Sequence, residues 1–194
     1  MLESYRVILA SNSPRRKELL AGVGISFEVM TIPGIDESFP DTLKGGDIPL
    51  FLARKKSDAY QDILRDNVLV ITADTIVWQD GKVLGKPKDR REAVEMIAEL
   101  SGRSHTVYTG VCVRSATKEE AFYTESKVFF DELTADEIEY YVDNFKPYDK
   151  AGAYGIQEWI GYVAIEGIEG SFFNVMGLPV QRLYVELSEF IKGL

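Results

Sequence analysis

Residues 67–87, "NVLVITADTIVWQDGKVLGKP", contain a nearly continuous apolar run that reads as a long strand. The strand continues past Asp74 and ends at Asp80-Gly81, a dipeptide that turns a chain back on itself. Val7 to Ala10, Val107 to Val113, Phe122 to Phe130 and Tyr162 to Ile168 are further strand candidates, the middle two as a pair. Helical patterns lie between them. Ser13 caps the first, with Pro14 at its first position and Arg15 to Leu20 following. "GGDIPLFLARKKSDAY" is expected to be capped by Asp47, and "KDRREAVEMIAELSG" by an Asp89–Glu92 capping box with Gly102 as terminator. Thr134 and Glu137 cap "TADEIEYYVDNF", with Ile138, Tyr141, Val142 and Phe145 facing inward. The last helix, "GLPVQRLYVELSEFI", is expected to bury Val180, Leu183, Tyr184, Leu187, Phe190 and Ile191. Strands and helices intermix without a strict alternation, which predicts an α/β chain with a mixed central sheet and helices around it.

At 194 residues the chain suits one domain, or two lobes around a shared cleft, and no linker-like composition divides residues 1–194. A net charge of −9 argues against general attraction to nucleic acid or an anionic membrane. No apolar run approaches the ~20 residues of a membrane span. Cys112 is the sole cysteine, which fits a reducing cytoplasm.

Several polar residues sit against the pattern. Asp74 interrupts Val68, Leu69, Val70, Ile71 and Ala73 before Ile76 and Val77; left unpaired there, a carboxylate costs several kcal/mol. Arg16 shares a helix face with Leu19, Leu20 and Val23, so it is half of an ion pair, a snorkelling stem, or aimed at an anion. Arg15 flanks it. Both arginines occupy the first helical turn, where acids are normally favoured because the unsatisfied N–H groups are already positive. At least one of Lys55 and Lys56 leaves the second helix close to its apolar face, Lys86 sits in a Gly-Lys-Pro turn, and Glu37 lies in the polar loop "PGIDESF".

Other chemistries are missing. His105 is the only histidine and opens a strand, so histidine-based zinc sites and Ser-His-Asp triads are excluded. There is no GxxxxGK[ST] loop, and Gly22-Val23-Gly24 lacks the third glycine of a dinucleotide fingerprint. Arginines and lysines with two carboxylates suit a polyphosphate held with a hard divalent cation.

"LASNSPRRKELL", "ITADTIV", "LGKPKD", "LSGRSHTVYTGV", "DKAGAYGIQ" and "FNVMGLP" resemble, in order, the blocks of the Maf (septum formation) family of nucleotide pyrophosphatases. The resemblance spans Leu9 to Pro179. It implies a two-lobed α/β fold like that of inosine triphosphate pyrophosphatases, and cytoplasmic house-cleaning hydrolysis of nucleoside triphosphates to monophosphate and pyrophosphate. It also implies a divalent metal (magnesium, manganese or cobalt) and a homodimer. By position Asp74 matches the family's proton acceptor, with a role as metal ligand beside Glu37 left open. Ser13, Arg15 and Arg16 match its phosphate-binding turn. Glu37, Lys56 and Lys86 match further substrate-binding positions, and Arg15, Thr75 and Gln157 those linked to base preference. "DKAGAYGIQ" is similar to the branch acting on dTTP and UTP, and a carboxamide at Gln157 suits it, since it can donate to O4 and accept from N3–H. The rival reading is a regulator of division that binds nucleotide without turning it over.

Overall fold

The structure is a computed structural model that describes residue 2 and residues 4–193. Strand β1 (Arg6–Leu9) leads into helix α1 (Pro14–Gly22), and β2 (Glu28–Val29) precedes α2 (Asp47–Asp58). The long apolar run is β3 (Val68–Gln79), which turns through Asp80 and Gly81 into β4 (Lys82–Leu84). Both turn residues have positive φ, 50° and 80°, the geometry that matches the twist of a two-residue hairpin. Then come α3 (Arg90–Leu100), β5 (Ser104–Arg114), β6 (Glu119–Phe130) and α4 (Ala135–Phe145). Helix α5 (Trp159–Val163), β7 (Ile165–Gly170), α6 (Phe172–Met176) and α7 (Val180–Lys192) complete the chain.

Among the described residues the strands form one sheet in the order β2-β1-β3-β5-β6-β7, with β4 also on β3. The sheet is mixed: β1 pairs parallel with β2 and β3, whereas β3–β4 and β6–β7 are antiparallel. The chain forms two compact units. The first comprises Met1–Asp74, Thr109–Thr124 and Gly177–Leu194; the second comprises Thr75–Tyr108 and Glu125–Met176. Strands β3, β5 and β6 each pass from one unit into the other.

In the first unit Ile8, Tyr60, Val68 and Val70 form a buried cluster joined by Met30, Ile35, Ile63 and Leu64. The Tyr60 hydroxyl donates to Met30 O and accepts from Ile32 N, which ties down the chain leading to the Glu37 loop. In the second unit His105, Phe130 and Tyr154 pack edge to face, and His105 Nε2 meets the Tyr154 hydroxyl at 2.7 Å. That supports a structural place for the one histidine.

Four local expectations need correction. Gly46, not Asp47, caps α2: a Cβ at position 46 would lie 2.4 Å from the Tyr123 ring, so only glycine fits, and Asp47 becomes the first helical residue. Asp89 accepts from Glu92 N as expected, but the Glu92 carboxylate reaches Lys88 N, one residue short of a closed capping box. The Tyr162 to Ile168 strand begins only at Ile165. Before it the chain makes a helical turn that buries Ile160, leaves Tyr162 83% exposed, and lays Gly161 against Ile156 O, where a Cβ would sit 1.7 Å away. Tyr184 is exposed, because Val180, Leu183, Leu187 and Phe190 already fill the buried face of α7.

Candidate active site

Asp74 is placed by two periodicities that meet. Along β3, residues two apart share a face, so Thr72 and Asp74 point the same way. Along α2, Ala53 and Lys56 lie three apart and also share a face. The Thr72 hydroxyl donates to Ala53 O at 2.6 Å, and the Lys56 ammonium donates to Asp74 Oδ1 at 2.6 Å. The helix is thereby fixed on the strand in a register that delivers Lys56 to Asp74. Both side chains are nearly closed off, 15% and 13% exposed.

Lys56 Nζ also contacts Glu37 Oε1 at 2.8 Å. Its neighbour Lys55 takes the preceding acid of the same loop, donating to Asp36 Oδ2 at 2.7 Å and to Ser38 O at 2.9 Å. Hydrogen bonds from Lys55 and Ser38 hold the Asp36 carboxyl well below the usual carboxylate range. Adjacent lysines thus grip adjacent acids, and Glu37 is steadied against α2.

The turn before α1 is built from serines. Ser13 N donates to Ser11 Oγ at 3.2 Å, while Ser13 Oγ accepts from Arg16 N at 3.5 Å as the helix cap. The Arg16 guanidinium donates through Nε to Gly177 O at 2.8 Å and through Nη1 to Ser11 Oγ at 3.5 Å. Desolvation pulls its pKa below the ordinary arginine value, and the charge of Arg15 adds to that; the charges of Asp74 and, less so, Glu37 oppose it. Asp74 therefore has two cations in its field, Lys56 in contact and Arg16 at longer range.

Ser13, Arg15, Arg16, Glu37, Lys56 and Asp74 all belong to the first unit. Thr75, Lys86 and Gln157 belong to the second. Thr75 follows Asp74 directly, and Lys86 is exposed in the loop after β4. Gln157 is half-buried, and its Oε1 is fully buried with no hydrogen-bond partner among the described residues. Such an acceptor is uncommon in a folded protein and could receive an N–H from a ligand or water.

Asp74 and Glu37 are the hard-oxygen residues that would hold a divalent cation in the first unit; here the Lys56 ammonium bridges them, 2.6 Å from Asp74 Oδ1 and 2.8 Å from Glu37 Oε1. Two carboxylates with phosphate oxygens and water are a common donor set for magnesium. No group of three or more His, Cys, Asp or Glu among the described residues is arranged to hold a metal unaided.

Two contributors were not singled out by the sequence. Ser11 is signalled only by the S-x-S spacing before the proline, and the Gly177 carbonyl, on a glycine with φ 116°, carries no sequence signal as a partner of Arg16. No helix among the described residues is long and apolar enough to cross a membrane.

With strand order and site in hand, the fold can be classed: it is shared with a solved structure of a HAM1 protein from Coxiella burnetii. The two superpose with a TM-score of 0.50 at 13% identity, over 95% of this chain and 99% of that one. The family described as Maf-like protein matches residues 6–190. This chain belongs to that family. A relative from Bacteroides thetaiotaomicron, named dTTP/UTP pyrophosphatase, is 56% identical over 188 residues, 97% of each chain. One of the same name from Christiangramia forsetii is 47% identical over 193 residues, covering all of this chain and 98% of its own.

Proposed function

We propose that this protein hydrolyses dTTP and UTP to the monophosphate and pyrophosphate. The observation that carries the reading is Asp74: a nearly buried carboxylate on an apolar strand, held at 2.6 Å by Lys56 and in the field of Arg16. Relatives named for dTTP and UTP support the substrate class. Their names also favour an enzyme over a regulator that only binds nucleotide.

Asp74 Oδ1 is engaged by Lys56, and Oδ2 is the oxygen available to take a proton from water. The water oxygen then bonds to the α-phosphorus as the bond to the bridging α–β oxygen breaks, and pyrophosphate leaves with the bonding electrons. Arg15, Arg16 and Lys56 hold its charge, with the capped α1 N-terminus adding oriented N–H groups. Phosphoryl transfer asks mainly for such positioning and neutralisation. Glu37 would hold a divalent cation (magnesium, manganese or cobalt), joined by Asp74 only in the alternative in which Asp74 is a metal ligand and not the proton acceptor; when bound, the cation neutralises charge on the phosphate oxygens. Gln157 and Thr75, both of the second unit, read the base. The proposal extends to a homodimer acting in the cytoplasm, which sedimentation of the purified protein and cell fractionation would check.

The direct test is pyrophosphate release from each nucleoside triphosphate with each metal, for wild type and Asp74→Asn. Asp74→Asn should still fold, because Lys56 keeps Glu37, and its turnover should fall by at least ~10²-fold. A well-folded variant with near-normal release would remove Asp74 from the chemistry.

A further inference from the structure

Tyr141 is fully buried in α4 and looks in sequence like one more inward-facing aromatic. Its hydroxyl, however, does two things at once. It accepts from Gly155 N at 2.9 Å and donates to the Glu158 carboxylate. Burial and the neighbouring Glu158 charge keep the phenol protonated, so its one proton stays available for Glu158 and a lone pair for Gly155. Glu158 N in turn donates to Gly155 O at 3.0 Å, which makes 155–158 a four-residue turn. Both ends of that turn therefore rest on one oxygen atom. Glu158 is further held by Lys150, a buried lysine whose Nζ lies 3.1 Å from Glu158 Oε1 and 2.9 Å from Asp149 Oδ1.

Gln157 is the third residue of this turn. Its Oε1 is buried and has no hydrogen-bond partner among the described residues. The direction of the amide is thus set by the turn and by packing. Gly155 leaves the space for that packing: a Cβ there would come within 2.9 Å of Glu158 Cδ, 2.9 Å of Lys150 Cε and 3.1 Å of Gln157 Nε2.

We propose that Tyr141 is a positioning residue for base recognition: its hydroxyl closes the Gly155–Glu158 turn and so aims the Gln157 amide at the pyrimidine edge. This rests on the reading of Gln157 given above. A misaimed amide forfeits affinity for the matching base and leaves the phosphate chemistry intact.

Tyr141→Phe keeps the ring and its stack on Phe145, with centroids 5.2 Å apart, and removes only the two hydrogen bonds. The expected result is a roughly tenfold fall in kcat/KM for UTP, carried by KM, with GTP changed less than about threefold. A role in folding alone would lower the active fraction and hence kcat for both nucleotides equally. Glu158→Leu removes the acceptor instead of the donor and should reproduce the fall in the UTP to GTP ratio; it decides the matter should Tyr141→Phe not fold. Gln157→Glu is measured alongside. If it leaves the ratio unchanged, Gln157 does not read the base and the role of Tyr141 falls with it. If Gln157→Glu shifts the ratio and neither Tyr141→Phe nor Glu158→Leu does, base reading stands and the positioning role alone is overturned.

Discussion

Replacing Lys56 by methionine keeps the length of the side chain and deletes its charge, leaving Asp74 nearly buried on β3 with no cation in contact. Lys56 is 15% exposed and Asp74 13%, so water can replace little of what the ammonium supplied. Breaking a buried pair by removing one partner destabilises by ~3–5 kcal/mol, chiefly through the charge left behind. Glu37, at 57% exposed, is resolvated when Lys56 goes and adds little. The residual solvent access of Asp74 and the distant Arg16 charge favour the lower end, about 3 kcal/mol for Lys56→Met in the ligand-free protein. Adding Asp74→Asn removes the stranded charge, and the double variant should recover most of that loss, a coupling of ~2 kcal/mol or more. Urea unfolding of wild type, both single variants and the double at pH 7 measures all four corners. Turnover separates stability from chemistry, since the double variant should regain its fold and none of its activity. A Lys56→Met protein within ~0.5 kcal/mol of wild type, with no coupling to Asp74, would refute the inference that the 2.6 Å contact is a desolvated pair.

Arg16→Ala should weaken triphosphate binding at least tenfold while lowering ligand-free stability by no more than ~2 kcal/mol, the low end for hydrogen bonds from a charged group such as those to Gly177 O and Ser11 Oγ. Urea unfolding showing a loss of 3 kcal/mol or more would make Arg16 a structural residue instead. Gln157→Glu puts a pure acceptor where O4 of uracil or thymine needs a donor, so kcat/KM for UTP should drop roughly tenfold or more, with GTP affected less. Burial lowers the His105 pKa from 6.5 to about 4, so between those values the unfolded chain binds the proton that the folded chain refuses. Its contribution is therefore complete above about pH 6.5 and is lost as pH falls towards 4; at ~1.4 kcal/mol per pH unit the loss approaches ~3 kcal/mol. Unfolding free energies at pH 7, 5.5 and 4.5 should show this slope in wild type and a shallower one in His105→Phe, and equal slopes would mean other groups carry it.

What the sequence determined alone was whatever is decided within a few residues. Ser13 capping Arg16 N, the Thr134–Glu137 capping box and the Asp80-Gly81 turn are bonds or dihedrals internal to one short segment, so composition and spacing suffice to read them. Asp74 was legible as an anomaly for the same reason: a carboxylate inside an apolar strand is visible without knowing its partner. Which cation answers it was not. At least one of Lys55 and Lys56 leaves α2 near its apolar face, and only the register of α2 on β3, pinned by Thr72 on Ala53, assigns Lys56 to Asp74 and Lys55 to Asp36. The carbonyl that receives Arg16 lies 161 residues away, and the hydroxyl that closes the Gln157 turn sits on a tyrosine that hydrophobic spacing reads as plain core. Tertiary structure decided these because a side chain's partner across elements depends on how whole strands and helices register against each other. Apolar periodicity tells which face is buried and is silent on which polar atom waits there.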